Sequence, residues 1–249
     1  MRIQRVLQGA GIRSSLGTMG ACSITLIEDM NKRILFDVGH FGNRDKLKES
    51  LSRISLKPSE FDVVVLSHLH WDHCLNVELF KDSQIILGEK ELELGTLSGL
   101  DDDLTKHFKK MLFDMGTMCV NDGYKITPNI TVLSLAGHTP GHIGLLLHLE
   151  SGATVLTGDA IPNIRAYRRG KPDLIFYSLH EAVASVQRVK EMKPQVIIPG
   201  HDSPFNDSGY ITREKIDIIL RTEQEENIVF CVETTRADEP LVYEHNLNS

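Results

Sequence analysis

The sequence predicts an α/β fold of two αβ halves packed sheet against sheet, with helices on the outside. Three observations predict it. Strand-like segments give way to helical ones, and the same order then repeats in the second half of the chain. Short, uninterrupted apolar runs such as Val63-Val64-Val65-Leu66, Val155-Leu156-Thr157 and Val196-Ile197-Ile198 read as buried strands. Each of these runs ends in a polar residue, so polar groups gather at strand ends. No short-period repeat, low-complexity tract or linker-like break divides the chain, and residues 1–249 are read as a single domain with a loose polar end from about 237.

Taken in order, residues 2–8, 21–28 and 33–37 read as strands, with Glu28–Lys32 as a hairpin turn between the last two. The intervening Gly9–Gly20 segment is rich in Gly and Ser yet carries Ile12, Leu16 and Met19, a composition shared by binding loops and by plain hairpin loops. Asp37, beside Gly39 at a strand end, is a candidate either to orient a metal ligand or to cap the next segment, and His40 reads as a loop histidine. Leu47, Leu51 and Ile54 mark a helix over 44–55 that Pro58 stops. Beyond the strand at Val63–Leu66, a helix starts in Leu75–Phe80, a strand covers Gln84–Leu87, and helices cover 89–97 and 101–115. Asp101-Asp102-Asp103 opens the second of these at its favourable end. Residues 118–135 are strand, turning at Pro128-Asn129. A helix over 178–192 turns Leu179, Val183, Val186 and Val189 inward, another over Ile211–Glu225 buries Ile216, Ile219 and Leu220, and Ile228–Val232 adds a strand.

Composition narrows the function. With 41% hydrophobic and 24% charged residues the chain is an ordinary globular one, and its formal charge of −7 gives no general attraction to nucleic acid or anionic membrane. No signal peptide or membrane-length apolar run is visible, so a cytoplasmic location is expected. Cys22, Cys74, Cys119 and Cys231 are scattered without metal-knuckle spacing and read as reduced thiols; Cys74, directly after His73, is the one placed to approach a metal.

Chemistry concentrates in Ser67-His68-Leu69-His70-Trp71-Asp72-His73, directly after a buried strand. His68 and His70 are two residues apart and can point to one side, while Asp72 and His73 can face a second centre. Imidazoles with a carboxylate suit zinc, and also iron or manganese. Three further polar residues follow strands and glycines: His138 in Gly137-His138-Thr139-Pro140-Gly141-His142, Asp159 in Thr157-Gly158-Asp159, and His201 in Pro199-Gly200-His201.

From Phe36-Asp37 through His201 the chain resembles the metallo-β-lactamase superfamily of hydrolases. The resemblance implies an αβ/βα four-layer sandwich with the site at one edge of two mixed sheets. It implies that His68, His70 and His138 hold one divalent ion, that Asp72, His73 and His201 hold a second, and that Asp159 bridges both; His142 is the competing third ligand, expected in a supporting position. Zn2+ is the expected metal, with Mn2+ or Fe2+ as alternatives. Two such ions sharing a water lower its pKa enough to supply hydroxide near neutral pH, with Asp72 and Asp159 as the carboxylates in the reaction.

The lactonase and thioesterase branches look most similar, through the single-domain length, His70, and the His138–His142 turn. The expected substrate is a small molecule, an acyl-homoserine lactone or a thioester, with a phosphodiester as the alternative. One departure is plain. Lactonases of that branch carry a tyrosine shortly after the bridging aspartate, where this chain has Pro162; Tyr167 is the next tyrosine. The cluster Arg165-Ala166-Tyr167-Arg168-Arg169-Gly170-Lys171 is a candidate for binding a carboxylate or phosphate, or a solvated loop.

Overall fold

A computed structural model describes residues 1–15, 17–94, 103–212, 215–221, 227–233 and 241–245. The first half begins with β1 (Arg2–Leu7), the two-residue strands β2 (Arg13–Ser14) and β3 (Gly17–Thr18), β4 (Ile24–Asp29) and β5 (Lys32–Phe36). Met30 and Asn31 both take positive φ, 49° and 62°, which makes the β4–β5 turn the tight two-residue type that matches strand twist. Next come α1 (Arg44–Arg53), β6 (Val63–Val65), α2 (Trp71–Cys74), β7 (Gln84–Gly88), α3 (Glu89–Leu94), α4 (Asp103–Asp114) and β8 (Met118–Val120). The first sheet runs β1-β4-β5-β6-β7-β8, antiparallel at its β1 side and parallel from β5 onward.

The second half contains β9 (Lys125–Thr127), β10 (Ile130–Ser134), β11 (Ile143–Leu149), β12 (Gly152–Gly158), α5 (Ile164–Arg169), α6 (Leu179–Glu191), β13 (Val196–Pro199), β14 (Phe205–Asn206) and β15 (Gly209–Tyr210). Its sheet runs β15-β14-β13-β12-β11-β10-β9, with β12 and β13 parallel. The four layers follow from alternation along the strands. Ile34, Phe36, Val63, Val65 and Ile86 of the first sheet meet Ile130, Val132, Leu145, Leu147 and Ile198 of the second in one buried core. The residues between them point outward: Leu35 and Val64 pack with Leu47 and Leu51 of α1, and Val155 and Ile197 pack with Val186 and Val189 of α6. Parallel strands covered on both faces are continuously apolar for this reason. Two mixed sheets packed face to face with helices outside make the four-layer sandwich expected from the sequence.

Three expectations are corrected. Residues Lys215–Arg221 form a strand, β16, and not a helix; it pairs residue for residue with β17 (Asn227–Glu233), which pairs in turn with β18 (Leu241–His245). Ile216, Ile219 and Leu220 match a helical period, but the β-branched run Ile216-Asp217-Ile218-Ile219 finds a partner strand, and pairing overrides the period. Part of the end expected to be loose, Leu241–His245, is therefore in a sheet. On α6 the buried face is Ala182, Ser185, Val186 and Val189, while Leu179 and Val183 are 54% and 43% exposed. Gly137 explains the rotation: a Cβ there would lie 2.1 Å from Ala182 N, so this turn of the helix packs on bare backbone. Leu16, Asp101, Asp102 and the remaining residues from 237 lie outside the described residues. No helix among the described residues is long and apolar enough to cross a membrane.

Candidate metal centre

The loops at one edge of the sandwich carry the polar strand-end residues together. β6 leads into Ser67–His73, β10 into His138, and the parallel pair β12 and β13 into Asp159 and His201. The edge is laced by Ile143 N–H to Ser67 O (2.9 Å) and Ser23 N–H to Gly200 O (2.6 Å). Two glycines are required by close approach. A Cβ at Gly200 would sit 2.3 Å from Asp159 Oδ1, and one at Gly158, whose φ is +48°, would sit 2.8 Å from Ser67 Cβ.

All the expected ligands converge. His68 Nε2 and His138 Nε2 each lie 2.9 Å from His70 Nδ1. His73 Nε2 and His201 Nε2 are 3.3 Å apart, and Asp72 Oδ2 is 3.3 Å from His201 Nε2 and 3.7 Å from His73 Nε2. Asp159 stands between the groups: Oδ1 is 3.2 Å from His201 Nε2 and 3.5 Å from His73 Nε2, while Oδ2 is 3.6 Å from His138 Nε2. His68/His70/His138 and Asp72/His73/His201 each present ligand atoms within 4.8 Å of one another, as do His68, His73 and Asp159.

The surrounding hydrogen bonds test whether these groups suit a cation. His138 Nδ1 lies 2.8 Å from Leu174 O and His201 Nδ1 lies 3.0 Å from Ala21 O; a carbonyl only accepts, so both Nδ1 atoms donate and both Nε2 atoms keep a lone pair. His73 Nδ1 donates to Asp37 Oδ2 at 2.8 Å, with the same result. Ser67 Oγ donates to Asp37 (2.9 Å), so it accepts from His68 Nδ1 (3.0 Å) and leaves His68 Nε2 bare. The network thus turns the Nε2 atoms of four imidazoles inward, and each offers a lone pair there when its ring is neutral. Asp159 Oδ1 is buried there without a hydrogen bond. Inward Nε2 atoms gathered around a buried carboxylate, each with its Nδ1 already partnered on the outer side, fit divalent cations once the imidazoles are neutral.

Electrostatics divides the two groups. Burial, and then the neighbouring imidazoles, push His68 well below the ordinary imidazole value; burial and His138 push His70 down to about 3, and burial lowers His138 despite Asp159. Burial opposes charge on His73 too, but Asp72, Asp37 and Asp159 outweigh it and hold it well above the ordinary value; burial likewise opposes charge on His201, and Asp159 raises it. Burial would raise Asp159, yet His201 and His73 hold it well below the usual carboxylate range.

Several subsidiary expectations are resolved. His142 Nε2 accepts the Asp159 N–H at 3.0 Å, so it supports the site from behind. His40 caps a short turn, accepting from Gly42 N–H at 3.0 Å. Asp37 orients His73. Cys74 turns away, its Sγ 3.5 Å from Leu69 O; Cys22 is the thiol grouped with Asp37 and His73. Tyr167 does not reach the centre, because its ring packs on Phe205 and its hydroxyl donates to Asp207 at 2.6 Å. Arg165–Arg169 of the basic cluster lie on the helix α5, which Gly170 ends before Lys171. Two contributors were not foreseen. Buried Glu91 on α3 accepts from Leu69 N–H (3.0 Å) and Gly141 N–H (2.9 Å), tying the two histidine loops together. Phe176 meets His70 and His138 edge-on at 4.8 and 5.3 Å. The centre forms the floor of a cavity of about 940 Å³ whose walls include Trp71, Leu75, Pro162, Arg165, Arg169 and Leu174.

The model of the metallo-beta-lactamase superfamily matches residues 17–201. The chain belongs to this superfamily. It is 29% identical over 164 residues to an N-acyl homoserine lactonase of Bacillus sp, covering 64% of this chain and 62% of that protein. It thus spans somewhat less than two thirds of the curated lactonases it matches. In structure it is similar to a single-site mutant of AiiA of Bacillus thuringiensis solved with N-decanoyl-L-homoserine at the active site, at TM-score 0.64 and 23% identity over 81% of this chain and 94% of the other. A metallo-beta-lactamase family protein of Thermus thermophilus superposes at TM-score 0.62 and 20% identity, covering 82% of this chain and 75% of the other.

Proposed function

We propose that this superfamily member is a dinuclear metal-dependent hydrolase that opens a carboxylic ester-type bond, a lactone or a thioester, in a small molecule. The carrying observation is the pair of inward-facing triads that share Asp159. His68, His70 and His138 would hold one divalent ion, most simply zinc, and Asp72, His73 and His201 the other. Such ions would supply Lewis acidity and lower the pKa of a water molecule enough for it to react near neutral pH.

The chain's own residues do the rest. Asp72 and Asp159 place carboxylate oxygens on the cavity floor, where a reacting proton needs an acceptor. Asp37, Ser67, Leu174 O and Ala21 O fix the rings of His73, His68, His138 and His201, so these four need not reorient during turnover. Trp71, Leu75, Leu174 and Phe176 give the cavity apolar surface for an acyl group. Pro162 offers no hydroxyl, and Tyr167 is engaged elsewhere, so the carbonyl finds no tyrosine donor at that position.

Protein loaded with zinc or manganese should hydrolyse an acyl-homoserine lactone or an acyl thioester in preference to an activated phosphodiester, and Asp72→Ala should lower turnover by about 100-fold or more. Preferential phosphodiester cleavage would overturn the ester reading. The lactonase relatives support the carbonyl side of this choice.

A further inference from the structure

We infer that Arg165 and Arg169 form an anion subsite in the cavity wall and that the substrate carries a carboxylate beyond the bond being broken. The inference rests on the hydrolase reading and adds the substrate class. Helix α5 is held rigidly. Asn163 Oδ1 caps it by accepting from Ala166 N–H (2.9 Å), Asp202 Oδ2 accepts from Ile164 N–H (3.1 Å), and Ile164, Ala166 and Tyr167 are buried. Residues four apart share a helix face, so Arg165 and Arg169 point together. Both line the cavity that has His70, His138, Asp159 and His201 on its floor; Arg168, on another face, does not.

Charge decides what this face would take. Like charges at this spacing oppose each other, and a helix needs neither for its packing. Arg169 is paired with Asp173, whose carboxylate it holds below the usual range against the effect of burial. That pair is 45% and 40% exposed, so it exchanges readily for a ligand. Arg165 makes no hydrogen bond or ion pair among the described residues; Asp173 and Asp202 feel its charge only through space. Against the two arginines on this face stands the carboxylate of Asp173, with Asp202 acting on Arg165 through space; Asp72 and Asp159 line the floor, so the excess at the arginines is at most one positive charge. That matches a monoanionic carboxylate better than a phosphate, which carries about −1.5 to −2 at neutral pH. A guanidinium also offers paired N–H groups that fit a carboxylate's two oxygens. In a chain of net charge −7, a positive wall beside the reacting centre is a local feature.

The test is calorimetric titration of the zinc-loaded protein with straight-chain α,ω-dicarboxylates of increasing length, each against the monocarboxylate of equal length. One carboxylate is expected at the metals and the second at the arginines. At the best-fitting length the dicarboxylate should bind roughly tenfold more tightly or better, and in the Arg165→Gln/Arg169→Gln protein this ratio should fall to about one. A ratio near one at every length in the unaltered protein, or a ratio that survives the double substitution, overturns the subsite. In parallel, kcat/KM is compared for a neutral ester and the same ester bearing a terminal carboxylate, with preference for the latter expected. Turnover of neither would overturn the hydrolase reading, while the binding ratio would still decide the subsite.

Discussion

Asp37 receives hydrogen bonds from Ser67 N–H at 2.7 Å, Ser67 Oγ at 2.9 Å and His73 Nδ1 at 2.8 Å, and it does so at a φ of +59°. Backbone strain of this kind persists only where several contacts hold it. Replacing Asp37 by Ala frees the His73 ring and the Ser67 hydroxyl, and through the latter His68. Metal affinity should fall about 10- to 100-fold, measured by competition with a chromophoric chelator. The proton balance gives a second expectation. His68, His70 and His138, all lowered, are neutral at any pH near 7 and bring no proton to displace. His73 and His201 are raised, so each must release a proton before it can ligate, and acid competes with the cation there first. Dialysis at stepwise lower pH should take the metal content from about two ions per chain to about one before the second is lost; simultaneous loss of both would contradict the assignment. Most of this cluster was legible because its residues are either contiguous, as in His68–His73, or stand directly after strands. Glu91, Phe176 and the direction of Arg165 were not legible. Each comes from an ordinary helix or loop and meets the site only through tertiary packing, which leaves no local spacing to read.

At the level of single elements, α6 shows why a helical period alone misplaces a face. Val183 and Val186 are equally apolar in sequence, but only Val186 is buried. Val186→Ala should cost about 2 kcal/mol of stability, whereas Val183→Gln should stay within about 0.5 kcal/mol, both by chemical denaturation. The strands behaved differently. Most of them, including the parallel ones, were placed within a few residues from their apolar runs, because a short run that is apolar on both faces suits little besides a covered strand. β16 failed because the run satisfies two periods at once, a helical one at Ile216, Ile219 and Leu220 and a strand alternation at Ile216, Ile218 and Leu220, and only the partner strand decides between them. Helix α6 also has an ion pair at its far end. Asp122 accepts from Arg188 and from Ser134 N–H, both at 2.8 Å; burial would raise its carboxyl, but these partners hold it below the usual range. A depressed folded-state pKa contributes stability above the unfolded value of about 3.9 and loses it as the pH falls through the folded one. Because the pair is well exposed, Asp122→Ala should cost no more than about 1 kcal/mol at pH 7, and the difference should disappear in acid.

Across the whole molecule, the centre joins the two sheets: His68 to His73 follow the first, and His138, Asp159 and His201 follow the second. Cations bound there would stabilise the native arrangement alone. At a free metal concentration about 100 times Kd this is worth about 2.7 kcal/mol, or roughly 5–10 °C in Tm for a chain of this size, and a strong chelator should remove it in a thermal melt. The joint has a further consequence for the order of events during synthesis. His73 and His201 are 128 residues apart in sequence and meet at 3.3 Å. A growing chain that has made only its first half has His68, His70, Asp72 and His73 in place but nothing to set against them. Contacts of such separation form late, after the entropy of closing the long loop has been met. Uptake of the full pair of expected ions should then follow docking of the two halves. A zinc-responsive dye followed during refolding should report the last step of assembly and not the first.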